Sequence, residues 1–289
     1  MKLTARAPGK VNLCLFLGPP RSDGRHELVT LFESVSIADE ICVEVADRDE
    51  VVCPGVDGPN LVERALAGLR ERAWNAPPVR VLIGKKIPVA GGMGGGSADV
   101  AAMLRIAPRL APVADHVVNQ IAVALGADVP SQLAPGVAIG TGAGEVIERR
   151  LALEHHAFVV VPQPFALSTP AVYQEADRLG LPRHGDELSG FLERLRAAGG
   201  GLAGELLVND LEPAAISLAP AVRHALDAVR ETGAAHAMVS GSGPTVFGVF
   251  WGLRPEEQAA AAATALSDRY PETTVATPVS EEFGAPRGS

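Results

Sequence analysis

Apolar and polar residues alternate along much of the first half of the chain, a pattern that predicts β-strands. A helical pattern, in which apolar residues recur every three or four positions, replaces this alternation after Asn60, which is a candidate N-cap. The helical pattern returns before and after residue 110. Gly126 supplies a helix stop. The predicted strands are 3–7, 11–17, 28–37, 41–45, 79–83, 137–140 and 145–147, and the predicted helices begin near 61 and span 98–106 and 114–125.

The pattern changes near residue 150, where helical segments become more frequent. Strands and helices then mix without regular strand–helix–strand spacing, which predicts an α+β fold in two lobes. The tail from Glu281 is expected to fray. Strands are predicted at 158–161, 237–240, 246–251 and 274–276, and helices at 170–178, 187–197, 216–231 and 256–266.

A glycine-rich segment with the sequence PVAGGMGGGSAD occupies residues 88–99, between a predicted strand and a predicted helix. Glycine lets the backbone approach a ligand closely, and the N-terminus of a helix favours negative charge. The segment therefore predicts a phosphate-binding loop. It does not have the spacing of a P-loop or of a dinucleotide-binding fingerprint.

Charge and composition limit the partners of such a loop. The chain has 289 residues, 47% of them hydrophobic, and a net charge of −9. An acidic protein of this kind is not expected to bind nucleic acid or an acidic membrane. Only four lysines are present, so the cations of a phosphate site must be concentrated locally: Lys2, Lys10, Lys85 and Lys86.

Cysteine and histidine usage argues against a metal or disulfide framework. The three cysteines are an odd number and show no CxxC spacing. The sequence also shows no basic-then-apolar leader pattern and no apolar run that approaches 18 residues. A reduced, cytoplasmic location is therefore expected. His155 and His156 are predicted to form a solvated surface pair.

Three further segments accompany the glycine loop. PGKVNL at 8–13 places a cation and an amide at a turn, GADVP at 126–130 places an acid after a helix end, and SGSGPT at 240–245 is a second glycine turn. Each segment alone is common in proteins. Their order along one chain is highly specific.

In this order, the four segments resemble the GHMP kinase superfamily, which includes galactokinase, homoserine kinase and mevalonate kinase. The runs DGRHELVTLFESVSIADEI and GTGAGE are similar to one branch, kinases that act on a cytidyl diphosphate sugar alcohol in the non-mevalonate isoprenoid route. The resemblance covers Ala5 to about Phe250. It implies an N-terminal ATP-binding lobe at 1–153 and a ferredoxin-like C-terminal lobe at 154–289, with the site in the cleft between them.

The resemblance also implies the chemistry, which is transfer of the ATP γ-phosphoryl group to a small-molecule alcohol with Mg²⁺ as cofactor. Asp128 would accept the hydroxyl proton, and Lys10 would keep that carboxylate ionised and stabilise developing charge. ATP would contact Asn60, Pro88, Gly91, Gly92, Gly94, Gly95, Gly96 and Ser97, with Ser97 also near Mg²⁺ through the phosphates. The acceptor would contact Asn12, Arg25, His26, Thr169 and Tyr173, the last by stacking on cytosine. The protein would be a monomer or weak homodimer.

Each of these residues also has a structural interpretation. Lys10 could be a surface lysine, Asp128 a turn residue and Ser97 a helix cap. His26 and Tyr173 could be parts of the core.

Departures from the family pattern leave two other functions open. Arg25 stands where the family usually has an aromatic residue, and Ser131 replaces a bulky one. An arginine can stack on a base or pair with a diphosphate, so these changes also suit a related kinase with a different alcohol as acceptor. A nucleotide-binding regulator without turnover is the third hypothesis, because a fold alone does not fix function.

Overall fold

The N-terminal strands are longer than the alternation pattern predicts. The computed structural model describes residues 2–56, 58–150 and 152–288, and in it β1 (Lys2–Pro20) and β2 (His26–Val45) pair antiparallel along most of their lengths. The break expected at Pro8–Gly9 is a register shift between Pro8 and Lys10 instead. A bulge of this kind accommodates a proline and re-aims the next side chain without ending the strand.

β1 and β2 are the centre of the first sheet, whose strand order is β11-β1-β2-β4-β3. Two more strands extend it: β5 pairs with residues 30–33 of β2, and β6 pairs with β5. The described residues between 58 and 150 form four helices, and the one called α2 packs directly on β1. The other strands are β3 (Glu50–Val52), β4 (Val79–Gly84), β5 (Val137–Thr141), β6 (Val146–Arg149) and β11 (Arg287–Gly288). The helices are α1 (Leu61–Glu71), α2 (Gly95–Leu110), α3 (Asp115–Leu125) and α4 (Val129–Gln132).

The second sheet has four antiparallel strands in the order β10-β7-β9-β8. With the first sheet it confirms the α+β class, and α8 and α9 cover one of its faces. Its strands are β7 (His156–Val161), β8 (His236–Val239), β9 (Val246–Trp251) and β10 (Thr274–Ala276). The helices in this part of the chain are α5 (Thr169–Arg178), α6 (Gly185–Ala197), α7 (Glu212–Leu218), α8 (Ala221–Glu231) and α9 (Pro255–Leu266). Of these, α6 packs on β1 and β2 of the first sheet.

Two helix predictions need correction. The helix predicted over 216–231 is two helices, because α7 ends at Leu218 and Pro220 stands before the start of α8. A proline donates no backbone hydrogen bond and disrupts a continuous helix. The helix after the glycine loop begins at Gly95 rather than at residue 98, so it includes the last two glycines.

The expectation of a frayed tail is wrong. A short 3₁₀ turn spans Glu281–Gly284, and Gly288 of β11 then pairs with Leu3 of β1. The Arg105 guanidinium on α2 donates to the Gly284 carbonyl at 3.1 Å and is so deeply buried that its pKa is lowered to about 10. The end of the chain thus returns to the first sheet, and a lobe boundary at 153 stays a prediction.

One hydrophobic cluster spans both sheets, because it includes Phe16 of β1 together with Phe158 of β7 and Phe247 of β9. Phe16 of β1 stacks on Phe191 of α6 with ring centroids 3.9 Å apart. Within 2–56, 58–150 and 152–288, no helix combines the length and apolar character needed to cross a bilayer.

The surface pair predicted at His155–His156 is correct for His155 only. His155 is exposed beside Glu256, whereas His156 is buried against Trp251 and its Nε2 lies 2.8 Å from a carboxylate oxygen of Glu33. β2 carries Glu33 and β7 carries His156, so this buried pair joins the two sheets. The sequence shows no spacing signal for a contact 123 residues apart.

The geometry of this pair requires a retained proton. Nδ1 of His156 lies 2.6 Å from the Glu154 carbonyl oxygen, so both ring nitrogens face oxygen atoms. Burial raises the pKa of Glu33. Burial also opposes a charged imidazole, but the hydrogen bond and charge of Glu33 outweigh it and raise the pKa of His156.

We expect this pair to make stability fall at alkaline pH. Both pKa values are raised by folding, so the folded chain binds protons more tightly and the free energy of unfolding decreases as pH rises. The His156 contribution is fully present below about pH 6.5 and is lost as pH passes the raised pKa. Urea unfolding of wild type and Glu33→Gln between pH 6 and 9 checks this, and equal slopes of the free energy of unfolding against pH in both proteins would contradict it.

His156→Leu leaves the buried Glu33 carboxylate without its partner and should lower the free energy of unfolding by about 3–5 kcal/mol.

Candidate active site

A cavity of about 690 Å³ lies between the two halves of the molecule. It is bounded by β1 and β2, by the glycine loop, by the segment after α3 and by the start of α5. All four motifs singled out in the sequence reach its wall. Segments more than 220 positions apart in the sequence, such as those of Lys10 and Gly243, therefore converge on one site.

The turn at residues 240–245 holds the glycine loop through two hydrogen bonds. The Thr245 N–H donates to the Gly91 carbonyl at 3.2 Å, and the Ser240 hydroxyl donates to the Gly92 carbonyl at 3.0 Å. Gly92 has φ +80°, and a Cβ there would lie 2.3 Å from the Ser240 carbonyl oxygen. Only glycine fits this position. The turn at 240–245 thus supports the shape of the loop.

The loop continues into the N-terminus of α2. Gly94 is the N-cap with φ +68°, and the first helical hydrogen bond runs from Ala98 N–H to the Gly94 carbonyl at 2.8 Å. The N–H groups of Gly95, Gly96 and Ser97 precede that ladder and have no partner within the helix. Such N–H groups and the helix dipole favour an anion. Gly95, Gly96 and Ser97 line the cavity, and we call their N–H groups the candidate anion site.

Lys10 stands beside this anion site and is nearly buried. Its Nζ donates to Asn12 Oδ1 at 2.8 Å and to the Gly92 carbonyl at 2.8 Å, and it lies 3.3 Å from Asp128 Oδ2. Asn12 is held in turn by its Nδ2 donating to the Thr30 hydroxyl at 2.8 Å. The interpretation of Lys10 as an ordinary surface lysine is therefore wrong.

Asp128 follows the Gly126 stop of α3 and leads into α4, where it faces the cavity. Its side chain is 31% exposed, against 5% for Lys10, so solvent and ligands reach the carboxylate. The Ser131 hydroxyl donates to the Asp128 carbonyl at 2.8 Å and is buried. Ser131 thus braces the turn that carries Asp128 and does not extend into the cavity.

The predicted acceptor residues separate into two groups. Asn12, Thr169 and Tyr173 line the cavity, and Thr169 Oγ1 lies 2.9 Å from Ser242 Oγ. Among the residues described along its wall, neither Arg25 nor His26 is present. Burial, with the charge of Asp128 adding to it, raises the pKa of Tyr173.

His26 lies behind Tyr173, and Arg25 lies outside. The His26 ring is 5.4 Å from the Tyr173 ring, and its Nε2 is 2.8 Å from Asp177 Oδ1. The Arg25 guanidinium donates to Asp23 at 3.0 Å and lies 3.7 Å from Glu145. Two carboxylates thus hold it at the protein surface.

Pro88 and Asn60 also line the cavity. Asn60 caps α1: its side chain accepts from Val62 N–H at 2.9 Å, and Glu63 completes a capping box. The N-cap prediction is confirmed.

A buried charge cluster beside the cavity wall, formed by Lys85, Asp39 and Asp99, is absent from the sequence predictions. The Lys85 ammonium contacts Asp39 and lies 2.7 Å from Asp99 Oδ2. Burial raises the pKa of Asp99 to about 7, although Lys85 opposes the rise.

The residues present fit a magnesium ion that is shared with phosphates. Within the described part of the chain, no three His, Cys, Asp or Glu side chains form a metal-binding cluster. Ser97 and Asp128 both line the cavity next to the anion site. Mg²⁺ keeps several non-protein ligands and commonly binds through one or two carboxylates plus substrate phosphates.

Comparison with known proteins defines the class to which this fold and site belong. The family model for the GHMP kinases N terminal domain matches residues 60–136, and the model for GHMP kinases C terminal matches 188–272. A homoserine kinase from Cytophaga hutchinsonii shares the fold, with a TM-score of 0.74, 17% identity and coverage of 99% of this chain and 96% of that one. The molecule has the architecture of a GHMP kinase.

More similar relatives narrow the class. A 4-diphosphocytidyl-2-C-methyl-D-erythritol kinase from Corynebacterium efficiens is 41% identical over 85% of this chain and 84% of its own length. The Mycobacterium tuberculosis protein of that name is 43% identical over 84% of this chain and 80% of its own. A crystal structure of a 4-(cytidine 5'-diphospho)-2C-methyl-D-erythritol kinase matches with a TM-score of 0.76, 32% identity and coverage of 95% and 98%. The chain belongs to this family of GHMP kinases.

Proposed function

We propose that this protein transfers the γ-phosphoryl group of ATP to the 2-hydroxyl of 4-diphosphocytidyl-2-C-methyl-D-erythritol, a step of the non-mevalonate route to isoprenoids. The observation that carries the proposal is the 3.3 Å approach of Lys10 Nζ to Asp128 Oδ2 beside the N-terminus of α2. Relatives of that name, above 40% identical over most of the chain, support the acceptor.

The chemical roles follow from charge and position. Phosphoryl transfer depends on positioning and on neutralising the charge of the moving group. The N–H groups of Gly95, Gly96 and Ser97 bind phosphate oxygens, and the Lys10 ammonium stabilises charge on the transferred group. The exposed Asp128 carboxylate accepts the proton of the attacking hydroxyl.

Magnesium, when bound, neutralises phosphate charge. The Ser97 hydroxyl is the side chain proposed to approach the magnesium ion, together with the phosphates.

The protein is proposed to be cytoplasmic, which agrees with the free thiols of Cys14, Cys42 and Cys53.

The acceptor is proposed to bind at the Tyr173 end of the cavity. Thr169 and Ser242 supply hydroxyl groups there, and the Tyr173 ring offers a stacking surface for cytosine. Asn12 lies between this region and Lys10. His26, fixed by Asp177, orients the acceptor by supporting Tyr173 from behind.

We expect Tyr173→Ala to raise KM for the cytidyl substrate with little change in kcat. Loss of one base-stacking partner costs about 1–3 kcal/mol, or about 5- to 150-fold in affinity. Tyr173→Phe keeps the ring and should remain near wild type. Steady-state kinetics at saturating ATP measure both constants, and an unchanged KM in the alanine variant would place cytosine elsewhere.

A related kinase with another alcohol as acceptor is the second candidate, because position 25 carries no aromatic ring and the Arg25 guanidinium is held outside the cavity wall by Asp23 and Glu145. Acceptor-dependent ADP release, followed with ATP and Mg²⁺, separates the functions. Release with the cytidyl substrate supports the main proposal. Release only with another alcohol supports the second candidate, and nucleotide binding without release on any acceptor supports a regulator.

A further inference from the structure

The helix that follows Asp128 is too short to hold its own position. α4 spans only Val129–Gln132, and Asp128 is its N-cap residue, whose side chain makes no capping hydrogen bond. Helix formation is cooperative, so a single turn is unstable unless other parts of the molecule hold it. The last carbonyl groups of a helix also have no partner within it. The position of Asp128 therefore depends on what binds the C-terminal end of α4.

Arg149, at the end of β6, binds that end of α4. Its Nη1 donates to the Ser131 carbonyl at 2.8 Å and also contacts the Ala134 carbonyl oxygen. Its Nη2 donates to the Pro130 carbonyl at 3.1 Å. A guanidinium presents five N–H donors in a rigid plane, whereas an ammonium presents a single point of charge. One side chain thus fixes three carbonyl groups at the end of a short helix.

Arg105 of α2 binds the carbonyl group between them. Its guanidinium contacts the Gln132 carbonyl oxygen, and it also donates to the Arg6 carbonyl of β1 at 2.7 Å. Both guanidinium groups therefore bind backbone oxygen atoms of α4 and the turn after it. The carbonyl groups of residues 130, 131, 132 and 134 are all bound by arginine.

Arg149 belongs to the same sheet as Lys10. β6 pairs with β5, β5 pairs with residues 30–33 of β2, and Lys10 of β1 lies opposite Ser34 of β2. The hydrogen bonds of Arg149 thus connect the helix that follows Asp128 to the sheet that carries Lys10. Asp128 and Lys10 are the two side chains that approach to 3.3 Å in the cavity.

We propose that Arg149 is a positioning residue for the transfer step, because by holding the end of α4 it sets where Asp128 stands relative to Lys10. Arg149 is exposed and is not among the described residues that line the cavity, so it acts through Asp128. The inference rests on the proposed function, since it takes Asp128 as the general base. A misplacement of about 1 Å caused far from the chemistry can lower a rate by about 10²-fold.

Arg149→Met should lower kcat by about 10- to 100-fold while the affinity for ATP stays within a few-fold of wild type. Methionine removes the donors and keeps much of the aliphatic stem. Arg149→Lys should give an intermediate kcat, because one ammonium cannot bind three carbonyl groups in the geometry of a guanidinium. Single-turnover transfer, expressed per ATP-binding site and measured well below each melting temperature, gives the rate of folded protein. Titration calorimetry gives the affinity.

Arg150→Met is the matched control. Arg150 is the next residue, and its guanidinium also binds the last carbonyl groups of a helix: it donates to the Arg196 carbonyl at 3.0 Å and contacts the Ala198 carbonyl oxygen, at the end of α6. No residue of α6 is among the described residues that line the cavity. This variant should keep the wild-type kcat even if its melting temperature falls.

A double variant separates positioning from a general structural role. With Asp128→Asn there is no general base to place, so adding Arg149→Met should lower kcat by less than about threefold more. A general distortion of the site would lower kcat by the same factor in the wild-type and Asp128→Asn backgrounds.

Two results would overturn the proposal. One is a wild-type kcat in folded Arg149→Met, or in Arg149→Lys if the methionine variant does not fold. The other is an equal loss of kcat from Arg149→Met in both backgrounds. Either result, together with a large loss of kcat in Asp128→Asn alone, would remove the positioning role and leave the proposed function intact. An unchanged kcat in Asp128→Asn alone would instead refute the general base, and this inference with it.

Discussion

Asp128→Asn should lower kcat by about 10²- to 10⁴-fold while ATP binding stays within a few-fold of wild type. The amide has the shape of the carboxylate but cannot accept the hydroxyl proton. Lys10 keeps two of its three partners, the Asn12 side chain and the Gly92 carbonyl, so the site should retain its geometry. Single-turnover phosphoryl transfer and nucleotide titration measure the two quantities separately.

Asp115→Asn is the matched control for this variant. Asp115 is an exposed acid in the first turn of α3, outside the cavity wall. It should retain wild-type turnover. A kcat for Asp128→Asn within a few-fold of wild type would remove Asp128 from the role of general base.

Lys10→Met should lower kcat by about 10²- to 10³-fold, the usual effect of losing one group that stabilises transition-state charge. Methionine fills much of the same volume without the ammonium. It leaves Asn12 Oδ1 without its donor, whereas the Gly92 carbonyl keeps the Ser240 hydroxyl, so some loss of thermal stability should accompany the kinetic effect. Rapid-quench kinetics and a melting curve measure both.

Lys2→Met is the control, because Lys2 pairs with Glu44 at the surface. That variant should match wild type in kcat and nearly match it in stability. If Lys10→Met raised only KM for ATP and left kcat intact, Lys10 would serve ground-state binding and have no role in the transfer step.

Local signals predicted the elements whose cause is local. The Asn60 cap and the 274–276 strand lie where the sequence predicts them. The prediction at Pro8–Gly9 was wrong because pairing with β2 along both sides of a bulge outweighs the tendency of a Pro-Gly pair to break a strand. Composition alone could not have shown that the tail folds back, since its partners are β1 and the Arg105 side chain.

The site follows the same division. The sequence could single out the glycine loop, Lys10 and Asp128 because each motif is contiguous, and the structure brings all three to one cavity. The sequence did not predict the buried charge cluster, because its three members come from separate parts of the chain. Asp99 is 14 residues from Lys85, and Asp39 is 46 residues from it. Arg25 shows the converse: its position in a motif predicted an acceptor contact, whereas Asp23 and Glu145 hold it outside the cavity wall.

The most direct test of the account follows the phosphorus atom itself. We expect the enzyme, incubated with ATP, Mg²⁺ and 4-diphosphocytidyl-2-C-methyl-D-erythritol, to give one new phosphomonoester resonance in ³¹P NMR. Its intensity should match the amount of ADP formed. The resonance should not be split by a proton, because carbon 2 of the acceptor bears a methyl group and no hydrogen. ADP without that resonance, or a resonance split by a neighbouring proton, would contradict transfer to the 2-hydroxyl.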